Sequence, residues 1–222
     1  MAPDRTLLTQ RLDRFTYHES TGGTPAAVAI LVSEEGYGSG VAGLPTYSSW
    51  NSAAALLLTK RAHHLKRHAG QWALPGGRVD ANESLLEAAI RETGEEISLT
   101  LSPNDYMGRL DDYVTHSGFV MSGLVFWAGS ARDAKPSPDE VDQIHRIPFT
   151  ELNRDDAPIL SSSESEQLPR HKTSPHPVLR MPIADDWIAA PTAAFLYQFR
   201  EVCLRDSHTR VAHFEQPEFA WK

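Results

Sequence analysis

Three glutamates stand close together in the sequence, at Glu92, Glu95 and Glu96. Residues three and four apart lie on one face of a helix, so these carboxylates would be crowded together at an electrostatic cost. A hard divalent cation removes that cost, because Mg²⁺ takes oxygen ligands and is often shared between carboxylates and substrate phosphates. Carboxylate-rich sites favour Mg²⁺ or Mn²⁺ over zinc. The spacing therefore predicts a divalent-metal site that acts on a phosphate compound.

The residues around the three acids support this interpretation. Arg91 stands four positions before Glu95 and can hold the row of carboxylates by charge-assisted hydrogen bonds. Glycine at position 77 lets the backbone turn tightly and bring a carbonyl oxygen close to the metal. A solvated glutamate-rich helix face is the ordinary alternative. The fusion of the acids to a Pro-Gly-Gly turn, with an apolar stripe opposite, favours the functional interpretation.

Residues 77–99 resemble the Nudix box, with Gly77, Glu83 and the run from Arg91 to Glu96 at the motif's spacing. Thr93 stands where an aliphatic residue is usual, and Ser98 stands where glycine is usual. The resemblance implies an α+β Nudix fold, in which a mixed β-sheet is sandwiched between α-helices. It also implies metal-dependent cleavage of a nucleoside diphosphate linked to a second group.

A second resemblance lies upstream, in residues 57–77, and concerns the substrate. Leu57–Ala62, Lys66, Gly70 and Leu74–Gly77 resemble the extra signature of the coenzyme A pyrophosphatase branch. The stretch departs from that signature at Ala62, Lys66 and Leu74, where serine, arginine and phenylalanine are usual.

The same upstream stretch supplies local positive charge. Arg61, Lys66 and Arg67 could meet the phosphates of coenzyme A, arginine in bidentate fashion. The alternative is that they are exposed loop charges beside a group of histidines.

These residues give a mechanism in outline. Bridging Mg²⁺ offsets charge that develops on the pyrophosphate, and a water attacks one phosphorus. Glu95 and Glu96 are the expected principal metal ligands, with Glu92 and the Gly77 carbonyl sharing. Glu92 or Glu140 is the expected base. The alternative for Glu140 is that it is an exposed loop carboxylate without a role in the reaction. Coenzyme A would give 3′,5′-ADP and 4′-phosphopantetheine.

Two other functions stay open at this point. One keeps the chemistry and changes the substrate to ADP-ribose, NADH or a nucleoside triphosphate. The other is a nucleotide-sensing module of the same fold that does not cut its ligand. The complete set of acids argues against the second.

Composition restricts the partners and the compartment. The 222-residue chain carries a formal net charge of −8, so it lacks the diffuse basic character typical of nucleic-acid binding. The single cysteine, Cys203, cannot form an intramolecular disulfide, which suits a reducing cytoplasm. We expect no signal peptide and no membrane span, because the apolar runs are too short. A homodimer is left open.

Apolar residues that recur at helix or strand spacing predict the elements that position these residues. We expect one domain over residues 1–222 with terminal extensions and a flexible loop at about 161–175. Helices are expected at 6–16, at 83–97 with Asn82 as N-cap, and at 190–204. A loop or hairpin tip is expected at 34–51. The expected strands are 25–33, 53–60, 72–74, 107–115, 119–127, 140–147, 178–183 and 211–214.

Overall fold

In a computed structural model, which describes residues 4–161 and 176–217, a seven-stranded mixed sheet forms the centre of the protein. Its strands are β1 (Thr24–Gly38), β2 (Thr46–Arg61), β3 (Trp72–Ala73), β4 (Gly76–Arg78), β5 (Tyr106–Val114), β6 (Phe119–Trp127) and β7 (Val141–Pro148). Strand β1 pairs in parallel with β6 and antiparallel with β2 and β4. Strand β2 also pairs antiparallel with β3 and β7. Its pairing with β1 fixes the short strand β4 beside the middle of the sheet.

Strand β1 is buried on both faces, because its side chains enter two different cores. Val28, Ile30 and Val32 belong to one core, while Ala27 and Leu31 belong to the other. Successive side chains of a strand point to opposite faces, so the alternation follows from strand geometry. The near-continuous apolar run is typical of a strand covered on both sides.

Among the described residues, four helices cover the two faces of this sheet. They are α1 (Arg5–Arg14), α2 (Leu85–Ile97), α3 (Phe149–Leu152) and α4 (Thr192–Phe199), and a π-helical turn (Arg200–Leu204) continues α4. A 3₁₀ turn (Pro103–Asp105) precedes β5. Helix α2 packs on one face, and α1, α3 and α4 contribute to the core on the other. The predicted α+β class, with a mixed sheet sandwiched between helices, is confirmed.

A second, three-stranded sheet lies on the side of α4. Its strands are β8 (Ile159–Ser161), β9 (Val178–Ile183) and β10 (Asp186–Ala189), in the order β10-β9-β8. Leu179, Met181, Ile183 and Ile188 join the same core as α4. Residues 176–217 are thus packed against the main sheet. Of these elements, β9 and the helix were predicted from the sequence. Strands β8 and β10 were missed because they are too short to show an alternation of apolar and polar residues.

Residues 34–51 form the end of a β-hairpin, which is the second of the two predicted alternatives, and most of the segment is strand rather than loop. Strands β1 and β2 continue into it and pair as far as Gly38 and Thr46. Acidic side chains of one strand bond to polar side chains of the other: Glu34 accepts from the Trp50 indole, and Glu35 accepts from the Asn51 amide at 3.2 Å. These cross-strand pairs stabilise a long hairpin in a segment whose Gly, Ser and Tyr content indicates a loop.

Other predicted elements differ in detail. Residues 211–214 form no strand, and only an isolated bridge joins Glu215 to Val178. The predicted helix at 190–204 begins at Thr192 and changes to π-helical geometry at Arg200. Most of the predicted loop at 161–175 lies outside the described residues. None of the helices in 4–161 and 176–217 combines the length and apolar character that crossing a bilayer requires.

Candidate active site

Helix α2 carries the acidic residues, and its start differs from the prediction. Ser84, rather than Asn82, is the N-cap: its hydroxyl accepts from the Glu87 backbone N–H at 3.2 Å, and the Glu87 carboxylate accepts from the Ser84 N–H at 2.8 Å. This reciprocal pair is a capping box. Asn82 instead adopts a positive φ of 67° in the preceding turn.

The three glutamates of α2 lie in different environments. Glu95 is exposed, the Glu92 side chain is only 14% exposed, and Glu96 is 4% exposed. The sequence predicts one polar row, but the burial of Ala89, Thr93 and Glu96 shows that the row turns inward at Glu96. The third carboxylate therefore enters the interior.

Arg91 connects the acids to one another. Its guanidinium donates to both oxygens of Glu83, at 2.8 and 3.0 Å, to Glu92 at 2.9 Å and to Glu95 at 3.0 Å. It also donates to the backbone carbonyl of Arg78 in β4 at 3.0 Å. The bidentate contact with Glu83 is the strong, orienting form of this interaction. The predicted role of Arg91 in holding the carboxylate row matches these contacts.

Backbone hydrogen bonds bring Glu140 to the same place. The Ser137 N–H donates to the Glu96 carbonyl at 2.8 Å, so the loop before β7 is attached to the end of α2. The Ala62 N–H donates to the Glu140 carbonyl at 2.9 Å, which attaches the same loop to the end of β2 beside Arg61. Glu140 thus approaches α2 from the loop before β7, and Arg61 approaches it from the end of β2.

The electrostatics of Glu96 reflect its burial and the charges around it. Burial raises the pKa of Glu96 to about 8, and the charges of Glu140 and Glu92 contribute in the same direction. Arg61 and the backbone N–H of Gly76 act in the opposite direction. Burial also raises the pKa of Glu92, against the effect of its hydrogen bond from Arg91. The charges of Glu92 and of the exposed Glu140 thus disfavour ionisation of Glu96, and these three residues form the carboxylate cluster of the site.

The glycines of β4 have a steric role in this cluster. A Cβ atom at position 77 would lie 2.3 Å from Glu92 Oε1, and one at position 76 would lie 2.3 Å from the Ala27 carbonyl oxygen. Both distances are far below van der Waals contact. Glycine is required here because β4 passes directly against the Glu92 carboxylate and against β1.

A divalent cation fits the donors of this cluster. Carboxylate oxygens that repel one another in a partly buried site are the ligands that Mg²⁺ and Mn²⁺ prefer. Within the described part of the chain, no three Asp, Glu, His or Cys side chains already converge as a ligand set. Glu92 and Glu95 are instead hydrogen-bonded to Arg91.

The three basic residues predicted to bind substrate are placed differently. Arg61 is half-buried, lies beside Glu96 and has a buried Nε without a hydrogen-bond partner among the described residues. Lys66 and Arg67 are exposed on the loop that follows β2. Only Arg61 of the three lines the neighbouring pocket.

That pocket has a volume of about 400 Å³ and adjoins the carboxylates through Arg61 and Gly76. One wall comes from β3, β4 and the β5–β6 hairpin, which includes Phe119. The other comes from β10 and the start of α4. This second wall could not be predicted from the sequence, since its strand has four residues and no chemical motif.

Comparisons with known proteins agree with the geometry. A family model described as the NUDIX domain matches residues 46–167. An uncharacterized Nudix hydrolase, NudL, from Yersinia enterocolitica is 37% identical over 100 residues, which cover 45% of this chain and 51% of the relative. NudL from Salmonella paratyphi B is 37% identical over 97 residues, which cover 43% and 50%. The chain spans about half the length of these curated relatives.

Solved structures resemble parts of the chain as well. A MutT protein from Methanosarcina mazei has a TM-score of 0.42 at 23% identity and covers 62% of this chain and 83% of its own. A MutT/nudix family protein from Enterococcus faecalis has a TM-score of 0.46 at 16% identity and covers 79% and 54%. The match of the family model to more than half of the chain, on the segment that holds Arg61, Glu92, Glu96 and Glu140, shows that the protein belongs to the Nudix family.

Proposed function

We propose that the protein is a divalent-metal-dependent pyrophosphohydrolase whose substrate is coenzyme A or an acyl derivative of it. The observation that carries the reaction type is the cluster of Glu92, Glu96 and Glu140, in which burial and the charges of Glu140 and Glu92 raise the pKa of Glu96 to about 8. The choice of substrate is supported by the resemblance of residues 57–77 to the coenzyme A pyrophosphatase signature.

Each residue of the site has a role in this proposal. Glu92, Glu95 and Glu96, with the Gly77 carbonyl, would hold Mg²⁺ or Mn²⁺, which supplies positive charge to the phosphate oxygens and lowers the pKa of water. Arg91 keeps the carboxylates in place through its four hydrogen-bonded partners.

The remaining groups act on the substrate and on the attacking water. Arg61, which lines the neighbouring pocket, binds a phosphate oxygen through its guanidinium group, and the exposed Lys66 and Arg67 add positive charge nearby. Glu92 or Glu140 accepts the proton of the water. The phosphorus–oxygen bond to the leaving phosphate breaks as the new bond forms, and the products are 3′,5′-ADP and 4′-phosphopantetheine. The single cysteine, Cys203, cannot form an intramolecular disulfide, which supports a cytoplasmic location, and a homodimer stays a prediction.

The test begins with a panel of compounds. The protein is incubated with Mg²⁺ or Mn²⁺ and coenzyme A, acyl-coenzyme A, ADP-ribose, NADH or a nucleoside triphosphate, and the products are identified by mass. We expect cleavage of coenzyme A at the pyrophosphate and none after chelation of the metal. Preferred cleavage of another compound would replace the substrate, and binding without cleavage would indicate a sensing module.

Glu96→Gln tests the metal-binding role in the same assay. The amide keeps the size of the side chain but removes the negative charge, so turnover should fall on the order of 10²-fold or more. Addition of Mn²⁺ should raise the melting temperature of the wild type and raise it less in the variant. Glu19→Gln is the control, because that exposed glutamate pairs with Arg109 outside the site. Normal turnover by a folded Glu96→Gln protein would contradict the proposal.

A further inference from the structure

The pocket beside the carboxylates is completed by a part of the chain that lies outside the family match. That match ends at residue 167, whereas residues 186–192 and Phe195 line the pocket. The chemistry and the second wall of the pocket therefore come from separate stretches of sequence.

The second wall is attached to the strands that lead to the carboxylates. The Trp72 indole N–H of β3 donates to Asp186 Oδ2 at 3.0 Å, and Lys60 Nζ of β2 lies 3.7 Å from the same oxygen. Lys60 also lies over the Trp72 ring, 4.6 Å from its centroid. These contacts fix the distance between β10 and the end of β2, and so they fix the width of the pocket.

Charge is distributed unevenly along the pocket. Arg61 is the one permanent cation among the described residues that line it, and it lies at the end next to Glu96. Away from Arg61 the lining is mainly apolar, with Leu74, Phe119, Met121, Ile188, Pro191 and Phe195. Asp186 adds a carboxylate. Its burial acts to raise its pKa, but the hydrogen bonds from Trp72 and the Trp187 N–H, together with Lys60, lower the pKa overall. A group that carries further phosphates would find no matching charge here.

We infer that residues 186–195 form the substrate-selecting wall of the site, and that the pocket receives the uncharged, largely apolar group attached to the far phosphate of a nucleoside diphosphate. This inference rests on the proposed function and deepens it, since it names the part of the substrate that the pocket recognises. Arg61 then marks the boundary between the pyrophosphate and that group. The nucleoside lies outside the pocket.

The experiment narrows the pocket and compares two ligands. Ala189 is half-buried and lines the pocket, so Ala189→Leu reduces the space without changing charge. The probes are coenzyme A, which carries an uncharged arm beyond its second phosphate, and ADP, which ends at that phosphate. We expect the KM for coenzyme A to rise roughly tenfold or more, and the inhibition constant of ADP to stay unchanged.

The control is the same substitution in the neighbouring cavity. Ala42 is exposed and lines a separate cavity on the other side of Trp72 and Asp186, so Ala42→Leu should leave both constants unchanged. Thr192→Leu, at a second half-buried lining position, replaces Ala189→Leu if the latter melts early.

The outcomes separate the inference from the proposed function. If the wild type cleaves coenzyme A and neither pocket variant raises its KM, the inference is wrong and the function stands. If the constants for coenzyme A and ADP rise together, the pocket holds the nucleotide and the inference is also wrong. If the wild type cleaves none of the panel, the proposed function fails and the inference falls with it.

Discussion

At the scale of single residues, the position of Glu92 depends on the absence of a side chain at Gly77. The strand β4 passes so close to α2 that a Cβ atom would overlap the Glu92 carboxylate. The Glu92 carboxylate is the far end of a flexible side chain, so it can move aside without unfolding the protein. A change at position 77 therefore acts on the site more than on the fold.

Gly77→Ala should lower turnover of coenzyme A on the order of 10²-fold, because a displacement of about 1 Å in a reacting group has an effect of that size. The melting temperature should change little. Gly94→Ala is the matched control, since a Cβ atom there meets nothing within 4 Å. Both variants are compared by steady-state kinetics and thermal melting, and equal kinetics would refute the steric role of Gly77.

The identities of the acidic residues were predictable from helix spacing, but their burial was not. Positions 92, 95 and 96 must share one side of a helix, and Arg91 must be able to reach them. Whether that side faces water or the interior depends on what packs against it. Here the loop that bonds to the Glu96 carbonyl covers the end of the helix, and this contact joins residues distant in sequence.

At the scale of elements, the end of α2 is under local strain. Ser98 is the C-cap and adopts a left-handed conformation with φ of 54° and ψ of 24°. Glycine, the usual residue at this position of the motif, takes this conformation without a steric cost. Serine in place of glycine at position 98 therefore raises the backbone conformational energy. Thr93, the other departure from the motif, is a polar residue in a buried position. Its hydroxyl is satisfied because it donates to the Ala89 carbonyl at 2.7 Å.

Ser98→Gly should raise the free energy of unfolding by about 1 kcal/mol, because it removes the left-handed penalty of a residue with a Cβ atom. For a chain of this size the melting temperature should rise by about 2–4 °C. Ser98→Ala keeps the Cβ atom and should bring no gain. Calorimetry of the three proteins decides the point, and an equal gain in both variants would assign the effect to the lost hydroxyl.

At the scale of the whole molecule, α4 packs on the main sheet, and Phe195 makes a particularly close contact there. Gly123 of β6 lies under the ring of Phe195, and a Cβ atom at position 123 would lie 2.6 Å from Phe195 Cδ1. Phe195 also contacts Tyr113 edge-on, with 6.5 Å between ring centroids. Such a long-range fit could not be predicted from the sequence. The elements themselves were predicted: β6 has the expected bounds, and α4 lies within the helix expected at 190–204.

Gly123→Ala should destabilise the protein by about 1–3 kcal/mol, the usual cost of overpacking a core. Phe195→Leu makes room for the new methyl group, so the same substitution should cost less in that background. A double-mutant cycle by denaturant unfolding measures the difference as a coupling energy. Additive losses would show that the two residues do not compete for the same space.

The hydrogen bond between Trp72 and Asp186 joins a strand of the family-matched segment to a strand outside it. Substitutions in β10 can therefore change the shape of the pocket while Glu92, Glu96 and Glu140 keep their own contacts. Given the proposed pyrophosphate cleavage and the inferred role of residues 186–195, reaction and substrate preference are then properties that separate parts of one chain determine. A few changes between residues 186 and 195 would alter the preferred substrate and leave the carboxylate cluster as it is.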